Sequence, residues 1–355
     1  MSKTFYGALG RKFTWPDLPL GSPPATAITY DDVLLVPQAN TAIGRRQDVD
    51  ISVQFGPYTL KVPIIAAPMD TISGERMIYK LAQLGAIGTL PRNDDFSSTH
   101  ALCETFSQKG TACVYALGLK NAIVEAQTLE KAGAKVILLD VAHGGMEKVI
   151  QTASKIKEAT HLIVVLGNIV TYEQALVYKK AGVDWARVGV GPGGACTTRL
   201  VAGNGFPQLS AIFETTSTGI PVIADGGIRY PGDAAKAIAA GAHMVMVGSM
   251  FAGCEETPGE VINGMKAYRG QASESYMKDN GASPNAFRSA EGISTQVPAR
   301  GSVEHVIFNF AGGIRSAMSY AGAKNIVEFQ KQALFNLVTQ SVQRENQAHV
   351  MKGTR

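Results

Sequence analysis

The stretch Trp185-Ala186-Arg187-Val188-Gly189-Val190-Gly191-Pro192-Gly193-Gly194-Ala195-Cys196-Thr197-Thr198-Arg199 joins a short apolar run to a glycine-rich turn. The run Trp185–Val190 is typical of a buried strand, and the glycines after it let the backbone approach a ligand and offer N–H groups to an anion. Cys196 stands on this turn, and Arg199 behind it would favour a thiolate. The stretch indicates a nucleophile beside a phosphate-binding turn. An inert, buried cysteine in a glycine loop remains the alternative.

Strand-like and helix-like segments alternate on both sides of this stretch. The short β-branched runs that predict strands are Val62–Ala67, Thr111–Leu117, Val136–Asp140, Leu162–Leu166, Trp185–Val190, Pro221–Ala224 and Met244–Val247. Helical spacing covers Glu75–Leu84, Ala122–Ala132, Met146–Ala159, Glu173–Ala181 and Asp233–Ala240, and most of these segments end at glycine. Repeated βα units in this number predict an α/β protein with a closed (β/α)8 TIM barrel. A doubly wound open sheet is the alternative.

The barrel interpretation places functional residues directly after the strands. Polar and glycine clusters stand at that position in Met69-Asp70, Asp140 with His143-Gly144, Gly167-Asn168, the Cys196 loop, Asp225-Gly226-Gly227 and Gly248-Ser249. The last two clusters follow consecutive late strands, where barrels often bind phosphate. The sequence therefore predicts one anion-binding site at the carboxyl end of the barrel.

The remaining segments suggest one domain with two additions. Residues 1–27 include Gly21-Ser22-Pro23-Pro24-Ala25 and are predicted to be an N-terminal extension. Residues 28–355 form the single barrel domain in this interpretation. Within it, residues 265–303 are polar and loop-rich, which is typical of an active-site lid. Ile314–Val342 is predicted to be helical.

Composition excludes several classes of function. The chain has 355 residues, a formal net charge of +4 and scattered basic residues, so nucleic acid is not an expected partner. No apolar run approaches the roughly 18 residues of a membrane span, and no signal peptide is visible. The four cysteines form no CxxC pair and no zinc-type spacing, so we expect a cytoplasmic protein without a metal site of that kind.

Several motifs together resemble the IMP dehydrogenase/GMP reductase family, from about Ile28 to the last helix. Besides the Cys196 loop, the matching stretches are Tyr30-Asp31-Asp32-Val33-Leu34-Leu35, Ala67-Pro68-Met69-Asp70-Thr71, Leu139-Asp140-Val141-Ala142-His143-Gly144, Gly167-Asn168-Ile169-Val170-Thr171, Ala224-Asp225-Gly226-Gly227-Ile228, Val247-Gly248-Ser249-Met250 and Gly312-Gly313-Ile314-Arg315-Ser316. The resemblance implies a (β/α)8 barrel that binds a purine nucleoside monophosphate and a nicotinamide cofactor, NADPH or NADH. It also implies a homotetramer.

Within that family the lid resembles that of the reductase. Only 20 residues separate Gly270 from Glu291, with no Arg-Tyr pair among them, whereas the dehydrogenase flap is longer and carries such a pair to activate water. The chain also leaves no room between its early strands for the paired CBS modules that dehydrogenases usually insert. In contrast, Ala186-Arg187-Val188-Gly189 resembles the dehydrogenase form. We therefore expect a GMP reductase; an IMP dehydrogenase, an enzyme for a modified purine nucleotide and a non-catalytic nucleotide sensor remain alternatives.

The resemblance assigns roles to individual residues. The catalytic residues are Cys196, Thr198 and Glu291, and the cofactor-binding residues are Arg92, Asp140 and Asn168. The substrate-binding residues are Met69, Gly193, Gly194, Asp225, Gly226, Gly227, Gly248, Ser249, Gln271, Arg288 and Gly292. A monovalent cation such as K+ is a further candidate ligand near Gly191, Gly193 and Cys196. Gly194, Gln271-Ala272, Arg92 and Ala290 depart from the residues usual in the family.

The chemistry implied by the resemblance centres on Cys196. In the reductase direction its sulfur attacks C2 of GMP, ammonia leaves, and a thioimidate remains on the sulfur. Hydride from NAD(P)H then reaches C2 and IMP is released. Thr198 and Glu291 would handle the protons, because an exocyclic amine leaves only when protonated.

Overall fold

The computed structural model describes residues 4–6, 12–14, 27–39, 41–93 and 95–346. Within these ranges, eight strands form one parallel sheet. In chain order these barrel strands are β1 Ile64–Ala66, β2 Gly88–Leu90, β3 Cys113–Leu117, β4 Val136–Asp140, β5 Ile163–Ile169, β6 Trp185–Val188, β7 Val222–Asp225 and β8 Met244–Val247. Each strand pairs with the next along the chain from β2 to β8.

The sheet closes on itself between β8, β1 and β2. Strand β8 pairs with β1, with Val245 opposite Ile64. On the other side of β1, Ile65 forms a parallel bridge with Ile87, whose N–H donates to the carbonyl of Ile64 at 3.1 Å. The predicted (β/α)8 TIM barrel is therefore confirmed, and the open doubly wound sheet is not the fold.

Helices connect the strands and cover the outside of the barrel. They are Glu75–Gln83, Phe96–Gln108, Ala122–Lys131, Glu147–Ala159, Tyr172–Lys180, Gln208–Thr216, Pro231–Ala239 and, after β8, Val303–Ala321. Shorter helices are Thr198–Val201, Glu274–Asp279, Ile326–Gln332 and Val342–Glu345. Apolar side chains pack both between strands and helices and inside the barrel, as two separate clusters.

A hairpin closes the amino end of the barrel. Its strands are Val53–Phe55 and Tyr58–Leu60, which pair antiparallel. Phe55 is fully buried and meets the ring of Trp185, the first residue of β6, edge-on at 4.8 Å between ring centroids. Because this end is filled by apolar side chains, the carboxyl end is the one at which polar groups gather.

A small sheet beside the barrel includes part of the N-terminal extension. Its strands are Lys12–Thr14, Thr4–Tyr6, Phe335–Leu337 and Val33–Leu35, in that order. The predicted boundary at residue 27 is followed directly by Ile28, which is buried and whose N–H donates to Ser210 Oγ at 2.8 Å. The rest of residues 1–26 lies outside the described residues.

Two sequence predictions need correction. The lid region 265–303 contains two antiparallel strands, Met265–Arg269 and Ser294–Pro298, and the helix Glu274–Asp279. Ile314–Val342 is not one helix, because the helix that begins at Val303 ends at Gly322 with a left-handed φ of 73°. Strand β2 was not predicted at all.

No helix of the described residues is both long and apolar enough to span a bilayer.

Candidate active site

Three neighbouring strands place a carboxylate, a glycine and an arginine in one row at the carboxyl end of the barrel. Gly167 of β5 pairs with Asp140 of β4 on one side and with Arg187 of β6 on the other. The pairing of β5 with β6 then skips Asn168. Such a bulge redirects a side chain, and Asn168 Nδ2 donates to Asp225 Oδ2 of β7 at 2.8 Å.

A chain of alternating charges runs along this row. Arg187 donates from one terminal nitrogen to Asp140 Oδ1 at 2.6 Å and from Nε to Asp225 Oδ2 at 2.9 Å. Arg92 Nε donates to Asp140 Oδ2 at 3.1 Å. Burial lowers the pKa of Arg187, but Asp225 and Asp140 outweigh it and hold the pKa above its ordinary value. The buried charges are thus compensated by one another.

The glycine turn after β6 presents Cys196. Its thiol donates a hydrogen bond of 3.2 Å to Thr198 Oγ1. Cys196 is half-buried, whereas Cys103, Cys113 and Cys254 are buried. Burial raises the pKa of those three thiols, that of Cys254 to about 11. Because the thiolate is the reactive form, Cys196 is the cysteine best placed to act as a nucleophile.

Arg199, the cation that follows Cys196 in the sequence, contacts the next part of the loop. Its guanidinium donates to the carbonyl of Phe206 at 2.8 Å, and its side chain packs over Gly191 and Gly205. Among the described contacts, the side-chain partner of the Cys196 thiol is Thr198. The expected effect of Arg199 on the thiolate stays a prediction.

The second half of the lid is hydrogen-bonded to the Cys196 turn. The N–H of Thr197 donates to the carbonyl of Glu291 at 2.9 Å, and the N–H of Ile293 donates to the carbonyl of Ala195 at 3.0 Å. Gly292 lies between them, and a Cβ built there would come within 3.1 Å of the Ala195 oxygen. The lid therefore approaches the turn closely enough to bring Glu291 beside Cys196 and Thr198.

Glycines from two loops meet Ser249 and Tyr268 at the other side of the turn. A Cβ at Gly194 would lie 3.3 Å from Cβ of Ser249 and 3.6 Å from the hydroxyl of Tyr268. A Cβ at Gly226 would lie 3.0 Å from the backbone nitrogen of Gly193. These close approaches bring backbone N–H groups and two hydroxyls into one region, which suits an anion.

The first half of the lid is fixed to the loop after β1. Arg269 Nε donates to both carboxylate oxygens of Asp70, and a terminal nitrogen donates to Asp279. Thr71 Oγ1 accepts from the N–H of Arg269 at 3.2 Å. Beneath this anchor lies a cavity of about 340 Å³. It is lined by Asp70, Ser73, Leu90, Pro91, Arg92, Asn93, Ser98, Thr99, Leu102, Arg269, Tyr276, Asp279 and Asn280.

Comparisons with known proteins agree with this arrangement. The family model described as IMP dehydrogenase / GMP reductase domain matches residues 27–349. The chain belongs to the IMP dehydrogenase/GMP reductase family. An inosine-5'-monophosphate dehydrogenase of Cryptosporidium parvum is 35% identical, over 91% of this chain and 94% of its own length. The same enzyme of Helicobacter pylori is 44% identical, over 86% of this chain and 69% of its own length. That of Chlorobaculum parvum is 42% identical, over 68% of this chain and 53% of its own length.

The structure brings most residues suggested by the family resemblance to one end of the barrel. Cys196 and Thr198 are hydrogen-bonded, and the backbone of Glu291 is joined to their turn. A Cβ at Gly248 would lie 3.2 Å from the sulfur of Met69. The nucleotide-binding role of these residues stays a prediction, as does the proposed cation near Gly191 and Gly193.

Three predicted residues have surroundings that sequence alone did not indicate. Asn168, assigned to the cofactor, donates to Asp225 Oδ2 and to the carbonyl of Gly189 at 2.6 Å, so both of these bonds go to residues at the ends of β6 and β7. Arg288 lies in an exposed turn closed by mutual backbone bonds with Asn285. Gln271 has a buried Nε2 with no hydrogen-bond partner among the described residues, which leaves a donor for a ligand.

Sequence reasoning missed two supporting residues of this family site. Arg187 had a signal, because a charged residue inside the apolar strand Trp185–Val188 needs a buried partner. Gln208 had none. It is fully buried, and its Nε2 donates to the carbonyls of Val188 at 2.8 Å and Asp225 at 3.1 Å, which fixes the ends of β6 and β7.

Proposed function

We propose that this chain is an NAD-dependent oxidoreductase that acts on C2 of a purine nucleoside monophosphate through a covalent bond to Cys196. The observation that carries the proposal is the half-buried Cys196 thiol, hydrogen-bonded to Thr198 on a glycine turn with Glu291 of the lid docked beside it. As the direction of reaction we propose oxidation of IMP, since the relatives described above are named inosine-5'-monophosphate dehydrogenases.

The nucleotide would be held by groups that already surround the turn. Asp225 Oδ2 accepts from Arg187 and Asn168, and the described residues place no donor on its Oδ1, which suits a ribose hydroxyl. The backbone N–H groups near Gly194 and Gly226 and the hydroxyl of Ser249 suit the phosphate. The orphaned Nε2 of Gln271 would donate to the base.

In this proposal part of NAD binds in the cavity beneath the lid anchor. The cavity volume of about 340 Å³ lies at the lower end of the usual range for small-molecule sites and is smaller than a whole dinucleotide, so the rest of NAD would lie outside it. Ser73 lines it with a buried hydroxyl that has no partner among the described residues. Arg92 lines it beside Asp140, and Tyr276 contributes an aromatic surface. When bound, NAD+ supplies the acceptor for the hydride removed from C2.

The residues of the chain would carry the other steps. The Cys196 thiol would add across the C2–N3 double bond of IMP, with the sulfur bonding to C2 and the proton passing to N3, and departure of the C2 hydride would leave a thioimidate on the sulfur. Water then attacks C2, the C–S bond breaks, and XMP leaves while the thiol is restored. Thr198 and Glu291 would take the proton of that water, because a carboxylate paired with a hydroxyl can serve as a general base.

GMP reduction is the second candidate, and one observation favours it. The lid between Gly270 and Glu291 has only 20 residues and no Arg-Tyr pair, which resembles the reductase. In that direction Thr198 and Glu291 would protonate the departing ammonia rather than deprotonate water. Both candidates use the same covalent intermediate, so they differ in direction rather than in the role of Cys196.

A paired assay separates these candidates. IMP with NAD+ should raise the absorbance of reduced nicotinamide and yield XMP, whereas GMP with NADH or NADPH should lower it and yield ammonia. XMP formation supports the dehydrogenase, and ammonia formation without XMP assigns the reductase. If neither reaction occurs although the nucleotides bind, a modified purine nucleotide or a sensor role replaces both.

A further inference from the structure

Arg187 joins two parts of the site that lie on β4 and β7, with two strands between them. Asp140 ends β4 and Asp225 ends β7, while Arg187 belongs to β6 between them. Arg187 contacts both carboxylates from one buried guanidinium, at 2.6 Å and 2.9 Å. Asp140 accepts a hydrogen bond from Arg92, which lines the cavity beneath the lid anchor. Asp225 lies against Gly189 at the start of the glycine turn.

Strand β5 is shaped to let this bridge form. To reach Asp140, the Arg187 side chain has to pass over β5, and Gly167 is the residue of β5 in that row. A Cβ at Gly167 would lie 2.6 Å from Cβ of Arg187 and 2.5 Å from its carbonyl oxygen. A glycine inside a strand often marks such a close approach.

The bridge has little freedom to rearrange independently at its two ends. Both oxygens of Asp140 accept from arginine, and Asp225 Oδ2 accepts from Arg187 and Asn168 together. Asp140 is 6% exposed and Arg187 9% exposed, so water can replace these bonds only poorly. A ligand that shifts one carboxylate therefore also shifts the other through the shared guanidinium.

We infer that Arg187 is a positioning residue that couples binding of the nucleotide near Asp225 to binding of the dinucleotide near Asp140. This inference rests on the proposed function, since it assigns one ligand to each end of the bridge. The first ligand bears the cost of adjusting the shared network to its bound geometry, so the second binds more tightly. By linkage the effect is reciprocal, with each ligand lowering the dissociation constant of the other by about fivefold or more.

The test measures dissociation constants in a Cys196→Ala background, where the ligands cannot react. The dissociation constant of IMP is determined by calorimetry with and without NAD+, and the ratio is the coupling factor. Arg187→Lys should bring this ratio close to one, because a lysine ammonium cannot present two donors in a fixed fork. Gly167→Ala, which crowds the Arg187 side chain, should lower the ratio as well.

Arg229 provides a matched control. It also bridges two carboxylates, Asp31 and Asp233, but lies outside the site and is half-exposed. Arg229→Lys should leave the coupling factor unchanged. A merely structural role of Arg187 would weaken both ligands and preserve the ratio, and that result, or an unchanged ratio in folded Arg187→Lys, overturns the inference. If neither ligand binds the Cys196→Ala protein at all, the proposed function fails instead.

Discussion

The backbone N–H of Thr197 donates a hydrogen bond of 2.9 Å to the carbonyl oxygen of Glu291, which joins the nucleophile turn of the barrel to the lid. The two residues are far apart in sequence, yet each adjoins a predicted catalytic group. Thr197 lies between Cys196 and Thr198, and the Glu291 carboxyl belongs to the residue that accepts the bond. The residues predicted to be catalytic are therefore brought together by a backbone hydrogen bond between the turn and the lid.

Glu291→Gln should lower kcat strongly and change KM little, because a proton-transfer group acts mainly in the transition state. We expect a loss of about 10²–10⁴-fold in kcat. Steady-state kinetics in the active direction measures both constants. Glu274→Gln is the control, since Glu274 is an exposed lid carboxylate paired with Lys278. Equal effects of the two substitutions would contradict a role for Glu291 in proton transfer.

Arg269→Met should loosen the lid, because it removes the bonds to Asp70 and Asp279 that fix the lid to the loop after β1. We expect kcat/KM to fall by about tenfold to a hundredfold through misplacement of Glu291. Cleavage by protease in the exposed turn at Asn285 should also become faster. Lys278→Gln, which breaks only the exposed lid pair, should behave like the unsubstituted protein. Unchanged proteolysis in Arg269→Met would show that the anchor does not hold the lid.

His243 should make stability depend on pH. Its Nδ1 accepts from the N–H of Val222 at 3.3 Å, and burial lowers the pKa of His243 below 6.5. The unfolded chain therefore binds this proton more readily, so the free energy of unfolding falls as the pH drops below about 6.5. His243→Gln should show a smaller loss of Tm between about pH 7.5 and pH 5 than the unsubstituted protein. His161→Gln, at an exposed position, should keep the full loss; identical profiles for all three proteins would refute the assignment.

The family resemblance implies a homotetramer, and the surface offers apolar residues that an assembly could cover. Phe308 and Tyr320 of the helix Val303–Ala321 are 58% and 56% exposed, and Val327 after it is 57% exposed. Light scattering at micromolar concentration should give the mass of four chains. Phe308→Glu should lower that mass if this face is part of the contact, and Lys155→Glu, at an exposed position of the helix Glu147–Ala159, serves as a charge control. A monomer would contradict the predicted assembly.

The sequence predicted the barrel because its strands are uniform apolar runs followed by helices that end at glycine. Val136–Asp140 and Met244–Val247 have the predicted bounds. Strand β2 was not predicted, because Gly88–Leu90 is only three residues long and begins with glycine. The strand Phe335–Leu337 was hidden in a helical pattern, because its partners lie near the N-terminus.

The sequence identified candidate site residues whose type and position after a strand suggest a role. It did not identify residues whose role depends on contacts with distant parts of the chain. Cys196 and Asp225 were recognisable from their place after strands. Arg187 was not assigned a role, since its two carboxylate partners lie on strands separated from it in sequence. The bond of Arg199 to the carbonyl of Phe206 was not predicted for a related reason, because proximity along the chain does not fix the direction of a long side chain.

Chemical labelling tests whether Cys196 differs from the other thiols. Cys103, Cys113 and Cys254 are buried, and burial raises the pKa of each, so iodoacetamide should modify Cys196 first. Peptide mapping by mass spectrometry identifies the labelled position. IMP should protect Cys196 if the nucleotide lies against it. Faster labelling of a buried thiol, or no protection at saturating IMP, would count against the proposed site.

The most direct test of the covalent mechanism is the steady-state activity of Cys196→Ala, measured with IMP and NAD+ and with GMP and NADPH. The account predicts that activity falls by about 10³-fold or more in whichever direction the unsubstituted protein catalyses, while nucleotide binding persists. Cys254→Ala, at a buried thiol outside the site, should retain activity in the same assay. Retention of more than about 1% of activity by Cys196→Ala would contradict the account, because loss of a nucleophile costs several orders of magnitude.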